Sequence, residues 1–296
     1  MKEARFGLDW LQRMWNNDSA TLYYQVGIGS GSLSFENDHS IWRIPQDDDT
    51  LGGTQRKYRY IRNRPIFVAG PAESRISPNL AGRLAADFAL CFTMFRTIDQ
   101  GYANRCLLAA EHIFDLADTS PPAELLTASP HDFYDESEWR DDMELGATEL
   151  YIATRDPNLL DELPHRDPAL YLKAAADWAS AYIRREKGVG EILSVADVGG
   201  LAHFELYRAM ALAGNPTGLA VTPADLLADL KKTLDNAVSV ATKDPFGFGV
   251  SWSAGDTPTH GAGSARSGCG RPAMFLNMTH WSSTTWMRPP TVAPLK

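Results

Sequence analysis

The sequence predicts an all-α protein that is built from helical hairpins. Apolar residues recur at helical spacing along most of the chain, whereas few stretches alternate in the way that half-buried β-strands do. Short turns join the apolar stretches in pairs, which is typical of antiparallel helix pairs. The simplest architecture is therefore a toroid or stack of hairpins, with long irregular loops gathered on one face.

The order of the predicted elements starts with an amphipathic helix and a long loop. The helix is expected at residues 2–16, and a loop rich in Gly, Ser, Asp and Pro follows from 17 to 79. That loop is far longer than the usual connection of roughly 4–6 residues, and such loops are commonly functional. Three hairpins come next, with helices expected at 79–97 and 101–118, 136–155 and 167–186, and 197–213 and 222–242. Thr222 is the expected N-cap of the last helix, with Pro223 as its first residue.

Composition and charge restrict the class of protein and of partner. The chain has 296 residues, of which 44% are hydrophobic, so it is globular and long enough for a sizeable core. A net charge of −9 argues against nucleic acid or an anionic membrane as a partner, and neutral or cationic ligands fit better. No apolar run approaches the roughly 18 residues of a membrane span. Met1 leads into an amphipathic segment, so no signal peptide is expected in this chain.

The three cysteines indicate neither a metal site nor an even disulfide framework. Cys91 and Cys106 fall on predicted helices, and Cys269 lies near the end of the chain. We expect the two helical cysteines to be small buried hydrophobes, so that cysteine usage says little about the compartment.

One group of residues with chemical content lies in the long loop. Asp38, His39 and Trp42 offer an acceptor, a donor whose charge depends on pH, and a flat apolar face. Sugars need that combination, because their hydroxyl groups require directional hydrogen bonds and their C–H faces pack on aromatic rings. The alternative is that the Asp-His pair caps a turn and that Trp42 packs into the core.

A second group crowds oxygen atoms around the start of a predicted helix. Ser137, Asp141 and Asp142 lie in this segment, and a hard cation such as calcium takes 6–8 oxygen ligands. The alternative is that the two aspartates interact with the helix dipole while Ser137 or Asp135 caps the helix.

Two further segments allow both a functional and a structural interpretation. His203 and Tyr207 are one helical turn apart and could share a face, although a buried structural histidine is the commoner outcome. The stretch 246–252 alternates glycine with aromatic residues and is followed by His260. This stretch predicts either a surface for a flat ligand or a tight loop that packs against the rest of the protein.

Taken together, these segments resemble glycoside hydrolase family 9, the inverting cellulases built on an (α/α)6 barrel of six helical hairpins. The resemblance runs from about residue 3 to about residue 263, and the order and spacing of its segments match. Its most specific parts are residues 25–27, 38–39, 42–45, 78–86 and 139–142, and residues 201–206 resemble a bacterial subgroup. The implied fold is a partial (α/α)6 toroid.

The resemblance implies roles for particular residues. It assigns His39 and Trp42 to the subsites that flank the cleaved bond. The residues expected to bind β-glucan or an oligosaccharide are Asp38, His39, Trp42, Tyr134, Trp139, Trp252 and His260. The expected calcium ligands are Ser137, Asp141, Asp142 and, as a weaker fourth, Asp197. Asp142 stands where the family usually has Glu.

The departures from the family concern the catalytic carboxylates. An inverting glycosidase needs a base and an acid about 6.5–9.5 Å apart. In the family the base comes from an Asp-Ala-Gly-Asp-His stretch that does not occur here, and the acid is a late Glu, whereas the last glutamate of this chain is Glu205. These differences, and seven expected helices against the family's twelve, predict a catalytic domain at 1–262 that is truncated at both ends.

Residues 263–296 are expected to be a non-homologous, poorly ordered tail. No carboxylate follows Asp256, although the chain as a whole is acidic. The tail is interpreted either as the product of a shifted reading frame near Gly263 or as an extension. Sequencing the gene across codons 255–275 tests this hypothesis.

The sequence therefore predicts an encoded β-1,4-glucan hydrolase that acts by inversion, in a chain that lacks both catalytic groups. By resemblance the protein is secreted, with its signal upstream of Met1. Two alternatives stay open at this stage, namely a sugar-binding fragment without catalysis and a helical-hairpin scaffold for protein partners.

Overall fold

The helical fold expected from the sequence is confirmed in a computed structural model, which describes residues 2–27, 44–50, 58–121, 124–128, 136–185, 197–247 and 249. Within these residues, seven helices have 13 or more residues and two are short. The helices are α1 (Lys2–Met14), α2 (Pro45–Thr50), α3 (Arg59–Arg62), α4 (Pro78–Phe95), α5 (Gln100–Asp115), α6 (Arg140–Thr154), α7 (Pro168–Ile183), α8 (Gly199–Leu212) and α9 (Pro223–Ala241).

Local sequence signals mark where several helices begin. The Asp99 side chain accepts a hydrogen bond from the Tyr102 backbone N–H and caps α5. Asp167 caps α7 in the same way, and a proline follows at the first helical position. The expected cap at Thr222 is confirmed, and Asp225 completes a capping box with it.

A small antiparallel sheet, which sequence reasoning missed, occupies the end of the predicted helix 2–16 and part of the predicted loop 17–79; α1 ends at Met14. Strands β1 (Trp15–Asn16), β2 (Thr21–Val26) and β3 (Ile66–Val68) lie side by side in that order. β2 pairs with β3 between Tyr23 and Val68, across 45 positions of the chain. Because the two strands are so far apart in the sequence, no turn motif between them predicts the pairing.

The long helices pack as three hairpins in a row. α4 packs against α5, α6 against α7 and α8 against α9, while α4, α6 and α8 lie next to one another. α4 and α6 approach each other tightly, since a Cβ atom at Gly82 would stand 2.4 Å from the carbonyl oxygen of Asp142. Only glycine permits this contact, which brings the next residue, Arg83, to the start of α6.

The expectation that Cys91 and Cys106 are separate small hydrophobes was half right. Both are fully buried, but they form a disulfide bond between α4 and α5, with Cα atoms 6.0 Å apart. The short turn after α4 folds α5 back along it, and this tertiary contact brings the two side chains together.

Candidate functional site

Helix α6 carries an unusual number of buried charged groups. Asp141, Asp142, Glu144 and Glu149 are all nearly inaccessible to solvent, at 3% exposure or less. The helix is buried on every side because it lies between α4, α7 and α8. Buried carboxylates need partners, so the contacts of these four residues decide what the helix can do.

The first group, here called the Arg83 cluster, consists of Arg83, Glu136, Asp141, Asp142 and Asp197. The Arg83 guanidinium donates hydrogen bonds to Asp142 and to Glu136. Glu136 also accepts a 2.6 Å hydrogen bond from the side-chain amide of Asn79. A single guanidinium thus bridges two carboxylates that lie before and within the first turn of α6.

The two aspartates of the Arg83 cluster are only half satisfied. Asp141 Oδ2 accepts a 2.6 Å hydrogen bond from the Val198 backbone N–H at the start of α8. Asp141 Oδ1 and Asp142 Oδ2 are buried and have no hydrogen-bond partner among the described residues. Burial, followed by the charge of Asp197, raises the pKa of Asp141 to about 8. Burial and the charge of Asp141 raise the pKa of Asp142 well above its ordinary value.

The remaining expected calcium ligands lie at the edge of the cluster. Asp197 accepts hydrogen bonds from the Tyr182 hydroxyl and the Gly199 backbone N–H, both at 2.8 Å. Ser137 is exposed and does not cap α6; Glu138 Oε1 instead accepts hydrogen bonds from the backbone N–H groups of Trp139 and Arg140.

The residues of the Arg83 cluster, as they are arranged, do not fit calcium. In the part of the chain that the structure describes, no three acidic, histidine or cysteine side chains are placed to hold a metal ion. Calcium requires 6–8 oxygen ligands, and most carboxylate oxygens here already accept hydrogen bonds from protein donors. The expected calcium site therefore stays a prediction that a binding measurement has to test.

The second group, here called the His203 cluster, consists of Glu144, Tyr182, His203 and Asp229. His203 Nδ1 lies 2.7 Å from Glu144 Oε1, and His203 Nε2 lies 3.5 Å from Asp229 Oδ2, which is an ion-pair distance rather than a hydrogen bond. The Tyr182 ring meets the imidazole edge-on, with centroids 5.4 Å apart. The expectation of a buried structural histidine is confirmed, since His203 is 1% exposed.

The two carboxylates of the His203 cluster favour the protonated form of the imidazole. Burial would lower the pKa of His203, but the neighbouring Glu144 and Asp229 outweigh it and raise this pKa to about 10. Burial acts on a carboxyl group in the opposite direction and would raise the pKa of Asp229, but the proximity of His203 lowers this pKa below its ordinary value. The pKa of Glu144 is instead raised, because burial outweighs the attraction of His203. Asp229 therefore carries the negative charge that faces the imidazolium more readily than Glu144 does.

A groove of about 380 Å³ lies along α4, α6 and α8. Its walls combine apolar residues such as Leu90 and Leu201 with the carboxyl groups of Asp87, Glu149 and Glu205. Glu205 forms an ion pair with Arg208, whereas Glu149 is 3% exposed and makes no hydrogen bond within the described residues. Burial and the charge of Glu205 raise the pKa of Glu149 to about 8. Sequence reasoning missed this residue, because one acid within a helix does not reveal its burial.

The aromatic residue of the predicted sugar site that the structure describes is Trp139. It is 8% exposed, its ring meets that of Trp178 edge-on at 5.1 Å, and the Arg140 guanidinium lies 5.0 Å from its centre. These contacts leave little of the ring for a sugar, so stacking on Trp139 stays a prediction. The other predicted sugar-binding residues lie outside the described residues, as does the tail at 263–296. They are Asp38, His39, Trp42, Tyr134, Trp252 and His260.

The row of helical hairpins defines a protein of the α/α-toroid class. The sequence model of "Glycosyl hydrolase family 9" matches residues 1–242, and the chain belongs to this family. Its helices correspond to part of the (α/α)6 barrel, which confirms the fold expected from the resemblance.

Plant proteins similar to this chain include endoglucanases. Endoglucanase 19 of Oryza sativa subsp. japonica is 29% identical over 160 residues, which cover 53% of this chain and 27% of the relative. Endoglucanase 14 of Arabidopsis thaliana is 25% identical over 191 residues, or 64% of this chain and 35% of the relative. The chain thus matches about a quarter to a third of the length of these relatives.

Solved bacterial structures share the fold. The catalytic domain of Clostridium thermocellum CelT superimposes with a TM-score of 0.54 at 20% identity, over 78% of this chain and 43% of that one. The cellulase Cel9M of C. cellulolyticum in complex with cellobiose gives a TM-score of 0.54 at 19% identity, over 79% and 44%. Among the described residues, no helix is both long and apolar enough to cross a membrane.

Proposed function

We propose that the encoded activity is hydrolysis of β-1,4-glucan with inversion, and that this polypeptide itself does not catalyse the reaction. The observation that carries the first part is the family match over residues 1–242. The cellobiose bound to the similar cellulase Cel9M supports a glucan as the ligand. The second part rests on the sequence, which contains neither the Asp-Ala-Gly-Asp-His stretch nor a glutamate after Glu205.

The described carboxyl groups support the proposed inactivity. Asp197 is half-buried and accepts hydrogen bonds from Tyr182 and Gly199. The other carboxyl groups of the Arg83 and His203 clusters are buried, so a glucan cannot reach them. Asp87 and Glu149 line the groove, but Glu149 is only 3% exposed, so its carboxyl group has little surface with which to reach a glucan. A glycosidase of this mechanism needs one ionised carboxylate as base and one protonated carboxyl as acid, both in contact with the substrate.

The test is an assay of the purified chain on carboxymethylcellulose. We expect no release of reducing sugar above that of a double variant, Asp87→Asn with Glu149→Gln, because acid and base each contribute roughly 10²–10⁴-fold and act together. Release by the wild-type chain alone would overturn the proposed inactivity and would assign the catalytic carboxyls to the groove. Equal release by both would also overturn it and would locate the reaction elsewhere.

We also propose that the chain keeps part of a sugar site, formed by the loop residues Asp38, His39 and Trp42 together with Tyr134, Trp139, Trp252 and His260. Titration with cellohexaose should quench tryptophan fluorescence without turnover, and Trp42→Ala should reduce the change. Trp10 serves as the control, because it is 48% exposed on α1, outside the predicted site. Equal responses of Trp42→Ala and Trp10→Ala would contradict the proposed site. An unchanged melting temperature with glucan would favour a scaffold for protein partners instead.

Secretion is a further part of the proposal. Disulfide bonds form and persist mainly in oxidising compartments, and the Cys91–Cys106 bond is consistent with such a location. Detection of the protein in culture medium with this bond intact would support export, whereas its confinement to the cytosol with reduced thiols would contradict it.

A further inference from the structure

The Arg83 cluster concentrates negative charge at the junction of three helices. Glu136, Asp141, Asp142 and Asp197 come from the segment before α6, from α6 itself and from the segment before α8. Glu136 and Asp142 lie close enough to share one guanidinium, and Asp141 and Asp142 are neighbours in the first turn of α6. Such a group is stable only with a nearby positive charge or with bound protons.

Arg83 supplies that positive charge from within the protein. Its guanidinium donates to Glu136 and Asp142, whose side chains are 5% and 0% exposed, while the arginine side chain is 29% exposed. The planar guanidinium suits this bridging role, because its several N–H groups can serve two carboxylates at once.

The backbone places Arg83 there by a contact that leaves little freedom. Gly82 and Gly146 bring α4 and α6 together, and a Cβ atom at Gly146 would lie 2.7 Å from the carbonyl oxygen of Gly82. Arg83 follows Gly82 directly and therefore projects from α4 at the level of the first turn of α6. The position of the guanidinium is thus set by the contact of α4 with α6 at these two glycines.

Two oxygen atoms of the cluster are left for any further cation. Asp141 Oδ1 and Asp142 Oδ2 are buried without a hydrogen-bond partner in the described residues. A calcium ion takes 6–8 oxygen ligands, and here it would also have to approach the guanidinium that already neutralises Asp142. A calcium ion and a guanidinium that contact the same carboxylate repel each other strongly in a buried site.

We infer that Arg83 takes the place of the calcium ion that the family resemblance implies, and that its removal turns this cluster into a site for a divalent cation. Without the guanidinium, Glu136 Oε1 and Asp142 Oδ1 lose their donor. They then become available to a cation together with Asp141 Oδ1 and Asp142 Oδ2. The released carboxylates then carry the charge and the donor atoms that calcium binds. The inference concerns the counter-charge of the cluster and does not depend on the proposed glucan activity.

Calcium binding by the intact chain and by two methionine variants tests the inference. Arg83→Met keeps much of the side-chain volume but removes the charge. Arg96→Met is the matched control, because Arg96 follows α4 directly and pairs with Asp156 at the surface. Each protein is stripped with a chelator and then titrated with CaCl₂ by isothermal calorimetry and thermal melting, with MgCl₂ in parallel.

We expect calcium to leave the melting temperature of the wild type and of Arg96→Met unchanged, and to raise that of Arg83→Met, with an affinity at least tenfold above that of the wild type. Stoichiometric calcium binding by the wild type would overturn the inference. A folded Arg83→Met variant that does not bind calcium would also overturn it. If Arg83→Met does not fold in chelator, recovery of a cooperative melt in CaCl₂ supports the inference, and failure to recover overturns it.

Discussion

The Arg83 cluster and the His203 cluster both place carboxylates of α6 out of contact with water, but they satisfy them differently. In the His203 cluster, Glu144 and Asp229 flank one imidazole that is almost completely buried. In the Arg83 cluster, one guanidinium serves two carboxylates, while Asp141 Oδ1 and Asp142 Oδ2 keep no partner within the described residues. Both clusters thus place a cation between two acids, but only the Arg83 cluster keeps buried carboxylate oxygens without a partner among the described residues.

The difference shows what each cluster contributes. The buried ion pairs of His203 hold three helices together, because Glu144, His203 and Asp229 come from α6, α8 and α9. Unused acceptors contribute no such interaction and raise the free energy of the folded state. They persist where another requirement holds the residues in place, and at the start of α6 this requirement is the contact between Gly82 and the backbone of Asp142.

The largest effect is expected from His203→Ala. Removing the imidazole leaves Glu144 buried without its counter-charge, so the free energy of unfolding should fall by roughly 3–5 kcal/mol. Urea denaturation followed by circular dichroism measures the loss. Lys231→Ala is the control, because Lys231 forms an exposed pair with Asp235 and its removal should cost about 0.5 kcal/mol or less. Similar losses in both variants would contradict the structural role of the His203 cluster.

The next effect concerns the disulfide, which ties α4, and with it Arg83, to α5. Replacing both cysteines by alanine should lower the free energy of unfolding by about 3 kcal/mol, the value for a loop of about 15 residues. Hydrogen exchange should then rise more in α4 than in α8, so that the Arg83 cluster loosens before the His203 cluster.

Thiol titration provides the independent check on the disulfide. The unreduced, denatured wild type should show one free thiol, that of Cys269, and three after reduction. Three free thiols before reduction would show that Cys91 and Cys106 are not bonded in the purified protein.

A smaller effect is expected at Glu149, the α6 carboxyl with no hydrogen-bond partner in the described residues. Its pKa rises from 4.5 to about 8 on folding, so between these values the folded chain holds a proton that the unfolded chain releases. The contribution of Glu149 to stability is therefore fully present below pH 4.5 and is lost as the pH rises through about 8. Glu149→Gln should remove this loss and stabilise the chain by on the order of 2 kcal/mol at alkaline pH.

Unfolding curves across the pH range measure the Glu149 effect, with Glu162→Gln as the control because Glu162 is exposed in a loop. The stability of that control should follow the wild type at every pH. If Glu149→Gln also follows the wild type, Glu149 has a partner in solution, and unsatisfied carboxylates on α6 are confined to the Arg83 cluster.

Much of the helical framework could be predicted from local signals. Apolar periodicity predicted the seven long helices to within a few residues, and Thr222 with Pro223 marked the start of α9. These signals operate within one or two turns of chain, where spacing and capping chemistry are visible in the sequence. The family resemblance added the barrel to which these hairpins correspond, and the match over residues 1–242 confirmed it.

The contacts of the candidate site were decided by the tertiary structure. Arg83 meets Glu136 and Asp142 across 53 and 59 positions, and nothing near Arg83 in the sequence announces either partner. The same holds for the pairing of β2 with β3 and for the burial of Glu149. The sequence by itself determined where helices form, since that depends on neighbouring residues. Which charges are buried, and what neutralises them, depends on helices that pack together from distant parts of the chain.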